Sequence, residues 1–246
     1  MNRLRSLSLC IGLFALVLPV SPLRAADPSV DEIVAKALAK ADADESNLAR
    51  YEYLQHVLFE KLDGNDKVVK SSKLEMKVGA GPDHPFTILQ KGGVTEEQEK
   101  QARLSQKFKL TFSLRKVAPR YDIRLDGKET QNGRTVYRLA FRPKADPQPY
   151  QNRVEKISNH FGGLIWIDGN DYTLLKVRAS LDGPVDMAWI LATMESLDFT
   201  YESCPVAGGS TPCRFLIAYR LGFVVGEIRQ RDEITTTDYS VALAKP

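Results

Sequence analysis

Alternation between apolar and polar residues dominates the second half of the chain and constrains its fold more than any other feature. Side chains of a strand point in turn to opposite faces, so a period of two predicts strands with one apolar and one polar face. The same pattern returns several times between Arg120 and Val241. In the longest run the apolar positions are Phe215, Ile217, Tyr219, Leu221, Phe223 and Val225.

Short turn signals separate these runs. Asn132-Gly133 is typical of a two-residue hairpin turn, and Asp168-Gly169-Asn170-Asp171 has residues that tolerate left-handed geometry. In the first half, Asp63-Gly64-Asn65-Asp66 separates two alternating runs that begin at Tyr51 and Val68. About nine to eleven strands joined mostly by tight turns predict an antiparallel meander.

Helical patterns are few. Ser29 with Glu32, and Thr95 with Gln98, form capping-box sequences that predict helix starts. Val154 to Phe161 fits one or two helical turns, while Phe108 to Leu114 fits either a strand or the continuation of a helix. Amphipathic helices lay their apolar face on a core. The predicted fold class is therefore α+β, mainly β: an antiparallel sheet curled into an unclosed half-barrel, with two or three helices against its concave side.

The N-terminus has the order of a secretory signal. Arg3 and Arg5 precede an apolar run from Leu7 to Val20, and Ser21 to Ala26 is a short polar stretch ending in small residues. This order predicts a signal peptide over residues 1–25, cleaved near Ala25 or Ala26, and export of a single domain over 26–246. An uncleaved membrane anchor is the alternative.

The balance of charge and the lack of known catalytic motifs argue against several classes of function. Without Arg3, Arg5 and Arg24 the chain has 31 basic and 31 acidic residues, so no nucleic-acid partner is expected. The three histidines are scattered, and no metal-ligand spacing, Gly-x-Ser-x-Gly elbow or phosphate loop is present. We expect no metal, no cofactor, no catalytic residues and no enzymatic activity. An unrecognised hydrolase is a remaining alternative.

Two cysteines remain after export, and both flank a turn-rich segment. Cys204 and Cys213 lie close in sequence on either side of it. In an oxidising compartment such a pair predicts a disulfide. Two free thiols are the alternative.

Apolar stripes offer the remaining functional signal, and they have two interpretations. They fill a core, or they line a cavity for an acyl chain, because a barrel of this strand count can be too wide for its own side chains to fill. The candidate cavity-lining residues are Ile33, Val34, Leu38, Tyr53, Val57, Phe59, Tyr137, Leu139, Phe141, Leu175, Val177, Tyr219, Leu221 and Phe223.

Part of the sequence resembles the LolA/LolB-like periplasmic lipoprotein carriers and outer-membrane lipoprotein-sorting proteins. The similar segments are the strand that starts at Arg120-Tyr121-Asp122, the strand Tyr137 to Pro143, and Gly163 to Asp168 followed by Tyr172 to Val177. The resemblance implies an unclosed barrel whose cavity takes lipid or lipoprotein acyl chains under a helical lid. It also implies a membrane-protein donor or acceptor. A filled-core scaffold or protein-binding module is the alternative function.

Overall fold

The computed structural model describes residues 27–109, 118–146, 148–187 and 192–242. The predicted signal peptide and its cleavage site therefore lie outside the described residues. The same holds for residues 110–114 of the segment that fits either a helix or a strand, although its first two residues belong to a helix that runs to Lys109.

Within the described residues the chain forms three α-helices and eleven strands. The helices are α1 (Val30–Leu48), α2 (Glu96–Lys109) and α3 (Arg153–Ser158). The strands are β1 (Tyr51–Leu62), β2 (Val68–Val78), β3 (Phe86–Gly92), β4 (Tyr121–Gln131), β5 (Arg134–Pro143), β6 (Phe161–Asp168), β7 (Leu174–Leu181), β8 (Val185–Asp186), β9 (Ala192–Val206), β10 (Gly209–Phe223) and β11 (Gly226–Val241).

All strands belong to one antiparallel sheet. Its order is β3-β2-β1-β11-β10-β9-β7-β6-β5-β4, and β8 adds a short pairing to β9. Within the described ranges β3 pairs only with β2, and β4 pairs only with β5, so these strands do not close the sheet into a barrel. The prediction of an unclosed, mainly β half-barrel with three helices is confirmed.

The predicted helix starts are formed by side-chain caps. Ser29 Oγ accepts a hydrogen bond from the Glu32 backbone N–H at 3.2 Å. At α2 the box is reciprocal: Thr95 Oγ1 accepts from the Gln98 N–H at 3.2 Å, and Gln98 Oε1 accepts from the Thr95 N–H at 3.0 Å. Each bond satisfies a backbone donor that the first helical turn leaves without an intrahelical partner.

Strand register aligns the apolar positions into rows across the concave face. The first row is entirely apolar: Leu74, Val57, Ile234, Phe215, Tyr201, Val177, Ile165, Leu139 and Leu125. The second row, two residues further along each strand, contains one carboxylate: Ser72, Phe59, Asp232, Ile217, Phe199, Ala179, Gly163, Phe141 and Ile123.

The two long helices fill the flanks of this face. On α1, the fully buried Ile33 packs in a cluster with Tyr137, Leu139 and Ile167. On α2, Ala102 packs in a second cluster, whose other buried members are Val57, Phe59, Leu74 and Met76. Burial of these side chains is the main stabilising contribution at both flanks, at roughly 1.5–3 kcal/mol for each fully buried large apolar residue.

The convex face carries cross-strand ion pairs. Arg214 Nε lies 2.6 Å from Glu233, and its Nη1 lies 3.8 Å from Glu202. Lys176 pairs with the other side of Glu202, and Arg231 pairs with Glu60. Exposed pairs of this kind contribute at most about 1 kcal/mol each, so they mark a face that meets water more than they stabilise the sheet.

Close strand approach requires a glycine on β6. A Cβ atom at Gly163 would lie 2.0 Å from the Arg178 carbonyl oxygen and 2.8 Å from Ala179 Cα on β7. Both contacts are with backbone, so no side-chain movement relieves them.

One boundary prediction was wrong. The long alternating run ends at Phe223, and Val225 lies in the turn to β11 with 96 % of its surface exposed. Apolar residues continue into that turn, so the sequence pattern extends beyond the strand. The turn-rich segment between the cysteines is mostly strand: β9 and β10 pair up to Val206 and Gly209, because Ala207-Gly208 supplies a two-residue turn.

Candidate functional site

An apolar stretch in the middle of the concave face lies between the two filled flanks. Its side chains come from β9 and β10 and are half-buried, whereas those of the flanks are buried. We call this stretch the trough. Its members are Met194, Leu197, Phe199, Phe215, Ile217, Tyr219 and Leu221.

Hydrogen bonds close one end of the trough. We call this the closed end; there β9 turns into β10 beneath the C-terminal half of α1. Asp44 of α1 accepts from the Ser210 backbone N–H at 3.2 Å and from its hydroxyl at 2.8 Å. Asn47 Nδ2 donates to the Ala207 carbonyl at 3.3 Å, and the Tyr51 hydroxyl donates to the same oxygen. α1 is therefore fixed to the sheet here as well as at Ile33.

A disulfide joins β9 and β10 at the closed end. Cys204 and Cys213 are bonded, with their Cα atoms 5.6 Å apart. This separation is ordinary for the bond. The structure therefore contains the predicted disulfide, and it strengthens the hairpin that holds α1.

The other end of the trough opens between hairpins. We call this the open end, where β10 turns into β11. Leu221 pairs with Ile228 on β11 and with Met194 on β9, so apolar side chains continue up to the turn. Ile228 is 37 % exposed and Phe223 is 40 % exposed. The trough thus has one end wall and one mouth.

Asp232 is the one carboxylate in the second row. Register places it between Phe59 on β1 and Ile217 on β10. Burial raises its pKa to about 6, and a 2.7 Å hydrogen bond from Gln230 Nε2 opposes that rise. The neighbouring Tyr219 has its pKa raised to about 12, first by burial and then by the charge of Asp232. A half-neutral carboxyl near pH 6 gives the trough a polar group that can donate or accept.

The candidate residues chosen from the sequence divide by depth. Fully or nearly fully buried are Ile33, Tyr53, Val57, Phe59, Tyr137, Leu139, Phe141 and Val177. Half-buried are Val34, Leu38, Leu175, Tyr219 and Leu221, while Phe223 is exposed. Of these, the structure brings Tyr219 and Leu221 into the trough, and the buried ones belong mostly to the flanks. Their contact with a ligand stays a prediction.

The choice of cavity-lining residues from the sequence missed several residues of the concave face. A register shift between the pairs of Trp166 and Ile167 places Leu174 against the core clusters, whereas the sequence pattern had selected its neighbour Leu175. Asp232 has polar neighbours before and after it in sequence, so alternation alone does not show which face of the sheet its side chain lies on. The even spacing of Ile228 and Ile234 is the signal that places it on their face.

Two depressions lie away from the trough, and no trough residue lines either of them. One of about 500 Å³ is lined by Gln148, Pro149, Tyr150, Lys156, Asn159 and His160. Next to it, Arg120 already donates to Glu155 at 2.9 Å and to Asn159 at 3.0 Å. Among the described residues, no group of three His, Cys, Asp or Glu side chains is placed to hold a metal ion. In the same part of the chain, no helix combines the length and apolar character needed to cross a bilayer.

Comparison with known proteins gives similarity in fold only. No protein-family model and no curated protein matches the sequence. Similar solved structures include a DUF1329 family protein from Desulfovibrio piger, with 10 % identity over 89 % of this chain and 96 % of that chain, and a TM-score of 0.41. A LolA superfamily protein from Nitrosomonas europaea has 12 % identity over 89 % and 96 %, with a TM-score of 0.35.

A third similar structure is an outer membrane lipoprotein-sorting protein domain from Vibrio parahaemolyticus. It has 11 % identity over 87 % of this chain and 95 % of that chain, with a TM-score of 0.36. The fold class itself rests on the strand order and helix placement described above: this chain forms an unclosed antiparallel half-barrel.

Proposed function

We propose that this protein is a periplasmic carrier that holds the acyl chain of a lipid or lipoprotein in the trough and moves it between membranes without covalent chemistry. The observation that carries the proposal is the half-buried apolar middle of a face whose two flanks are filled. Apolar surface that a fold leaves only half covered is unfavourable in water, and a ligand that covers it gains the hydrophobic contribution to binding.

The energy available from the trough is sufficient for a carrier. Burying a 16-carbon chain provides on the order of 10 kcal/mol gross, at about 0.8 kcal/mol per methylene. Ordering of the chain and loss of its free motion remove part of this. The remainder supports reversible binding, which a carrier needs in order to release its ligand.

A chain reaches the trough without movement of α1. The sequence suggested that the helix around Ile33, Val34 and Leu38 acts as a lid. Ile33 is fully buried, and Asp44 is bonded to the β9–β10 turn. In our proposal α1 is therefore the fixed end wall, and the ligand enters from the open end.

Two features support a periplasmic location. The first 25 residues have the order of a signal peptide. The Cys204–Cys213 disulfide fits an oxidising compartment. Together they favour a role in the cell envelope.

Lipid uptake tests the proposal directly. Native mass spectrometry of the exported protein is expected to show co-purified lipid, and titration with a pyrene-labelled hexadecanoate is expected to saturate. Leu221→Asp places a charge in the trough and is expected to weaken that binding about 30-fold, because roughly 2 kcal/mol of apolar contact is lost. Leu89→Asp is the matched control, since Leu89 lies 51 % exposed on the edge strand β3.

The alternative function, a protein-binding module, predicts a different result in these lipid-uptake experiments. If folded wild-type protein carries no lipid and takes up no labelled hexadecanoate, the carrier proposal fails. A protein-binding module of the cell envelope is then the better interpretation.

A further inference from the structure

Exposed large apolar side chains cluster at the open end. Among the described residues, six of the ten such side chains belong to the β1–β2 and β10–β11 hairpins at this end. They are Val68, Val69, Phe223, Val224, Val225 and Ile228. Scattered exposed apolar residues are normal, but concentration at one end of a sheet indicates a contact surface.

The β10–β11 turn departs from ordinary turn chemistry. Its two central residues, Val224 and Val225, are 73 % and 96 % exposed. Two-residue turns favour Asn, Asp and Gly, as at Asn132-Gly133 in this chain. β-Branched apolar residues do not help such a turn to form, so local folding does not account for them.

The two hairpin tips lie side by side. Arg229 of β11 donates to the Gly64 carbonyl oxygen at 2.9 Å and to Asp66 Oδ1 at 3.0 Å, both in the β1–β2 turn. These bonds hold the exposed valines of the two hairpins at the same end of the sheet. The surface is therefore a single rim, which we define by Val68, Val69, Val224 and Val225.

Lysines flank the apolar part of the rim. Lys67, Val68, Val69 and Lys70 are consecutive and all exposed. Lys70 lies directly opposite Lys61 on β1, an unfavourable cross-strand pairing of like charges. Among the described residues, none of these three lysines has an acidic partner within ion-pair distance. Acidic residues at this end have partners of their own: Asp66 and Glu227 pair with Arg229, and Asp63 accepts hydrogen bonds from two backbone N–H groups of the β1–β2 turn. The three lysines are therefore available for a contact outside the chain.

We propose that the rim docks the protein on the surface of an anionic lipid bilayer. The four valines enter the boundary between headgroups and acyl chains, and Lys61, Lys67 and Lys70 contact lipid phosphates. A second copy of this chain fits the rim poorly, because a symmetric contact would bring the same lysines against one another. The apolar-plus-cationic pattern selects the bilayer.

Docking at the rim places the mouth of the trough at the membrane. Leu221, opposite Ile228, connects the trough to the β10–β11 hairpin. A chain leaving the bilayer would pass from lipid to protein with little exposure to water. This consequence rests on the proposed carrier function, whereas docking itself does not, so each can fail without the other.

Vesicle flotation tests the docking. The exported protein is mixed with phosphatidylethanolamine vesicles, with or without phosphatidylglycerol, and floated through a density gradient. We expect binding only to the anionic vesicles. The double variant Val224→Asp/Val225→Asp is expected to lose at least tenfold in affinity, while Val241→Asp, which changes a half-exposed valine at the closed end, is expected to bind as wild type.

Two single lysine variants on β2 test whether the positive charge of the rim contributes to binding. Lys70→Gln is expected to weaken binding about fivefold, the effect of one lysine near an anionic surface. Lys73→Gln, on the same strand but paired with Leu58 of the convex face, is expected to leave binding unchanged.

Three outcomes would overturn the proposal. They are wild-type protein that does not float with anionic vesicles, a Val224→Asp/Val225→Asp variant that floats as well as wild type, and self-association in sedimentation velocity that this variant abolishes. Hexadecanoate uptake in solution, measured on the same variant, keeps a failure of docking separate from a failure of the trough.

Discussion

The closed and open ends of the sheet are built in opposite ways. At the closed end, Asp44 binds the β9–β10 turn and a disulfide crosses the hairpin below it. Nearby, the Tyr239 hydroxyl donates to the Pro212 carbonyl at 2.6 Å. At the open end, Val224 and Val225 stand in water. The same long strands β10 and β11 supply both ends.

This difference predicts that the closed end contributes mainly to the stability of the fold and the open end mainly to binding. The hydrogen bonds and the disulfide of the closed end hold the fold together, so their loss costs folding free energy. Val224 and Val225 at the open end are exposed, so their substitution is expected to leave folding nearly unchanged and to alter binding. The predictions below test which contacts carry the stability, from the largest effect to the smallest.

Truncation of Ile33 is expected to have the largest effect on stability. Ile33→Ala leaves a cavity among Tyr137, Leu139 and Ile167 and should lower the free energy of unfolding by about 2–5 kcal/mol. Leu197→Ala, in the half-buried trough, should cost about 1 kcal/mol because less area is lost. Urea denaturation followed by circular dichroism measures both. Equal losses would contradict the distinction between filled flank and trough.

Removal of the disulfide is expected to have the second-largest effect on stability. Cys204→Ser/Cys213→Ser should lower the unfolding free energy by roughly 2–3 kcal/mol, because the bond closes a short loop in the unfolded chain. Thermal unfolding of wild type and variant, each with and without reductant, measures the effect. Reductant should destabilise the wild type alone, and wild-type protein that is insensitive to reductant would contradict a stabilising bond.

Ionisation of Asp232 is expected to have the smallest effect. Its pKa is raised to about 6 in the folded state, so its protonation stabilises the fold below pH 4, and that contribution is lost as the pH rises through 6. Asp232→Asn should remove this dependence and raise stability at pH 8 by about 1–2 kcal/mol, after allowance for partial solvent exposure. Urea midpoints between pH 4 and pH 8 measure it, and parallel profiles would contradict the assignment.

Local signals in the sequence were sufficient for most of the fold. Ser29 and Thr95 begin helices because their hydroxyls reach backbone donors three residues away, an interaction that depends on neighbouring residues only. The Asn132-Gly133 turn forms with both residues at positive φ, as its composition indicates. Alternation then predicted which residues face the core, and tight turns predicted the hairpins between consecutive strands. The pairing of β1 with β11, which lie far apart in sequence, had no local signal.

The site required information that no local pattern contains. Burial distinguishes Leu139 from Leu221, although both alternate in the same way, because α1 covers the first and not the second. The direction of Asp232 depends on the register of β11 between β1 and β10. Val225 was misassigned because an apolar residue in a turn has the same appearance in sequence as one at a strand end.

Gly163 sets how closely two neighbouring strands can lie. Its missing Cβ atom leaves room for the Arg178 carbonyl oxygen and Ala179 Cα on β7. Because both atoms belong to the backbone, an alanine at this position would force β6 and β7 apart. The pairing of these two strands therefore depends on the absence of one methyl group, at a position where the alternation of apolar and polar residues gives no warning.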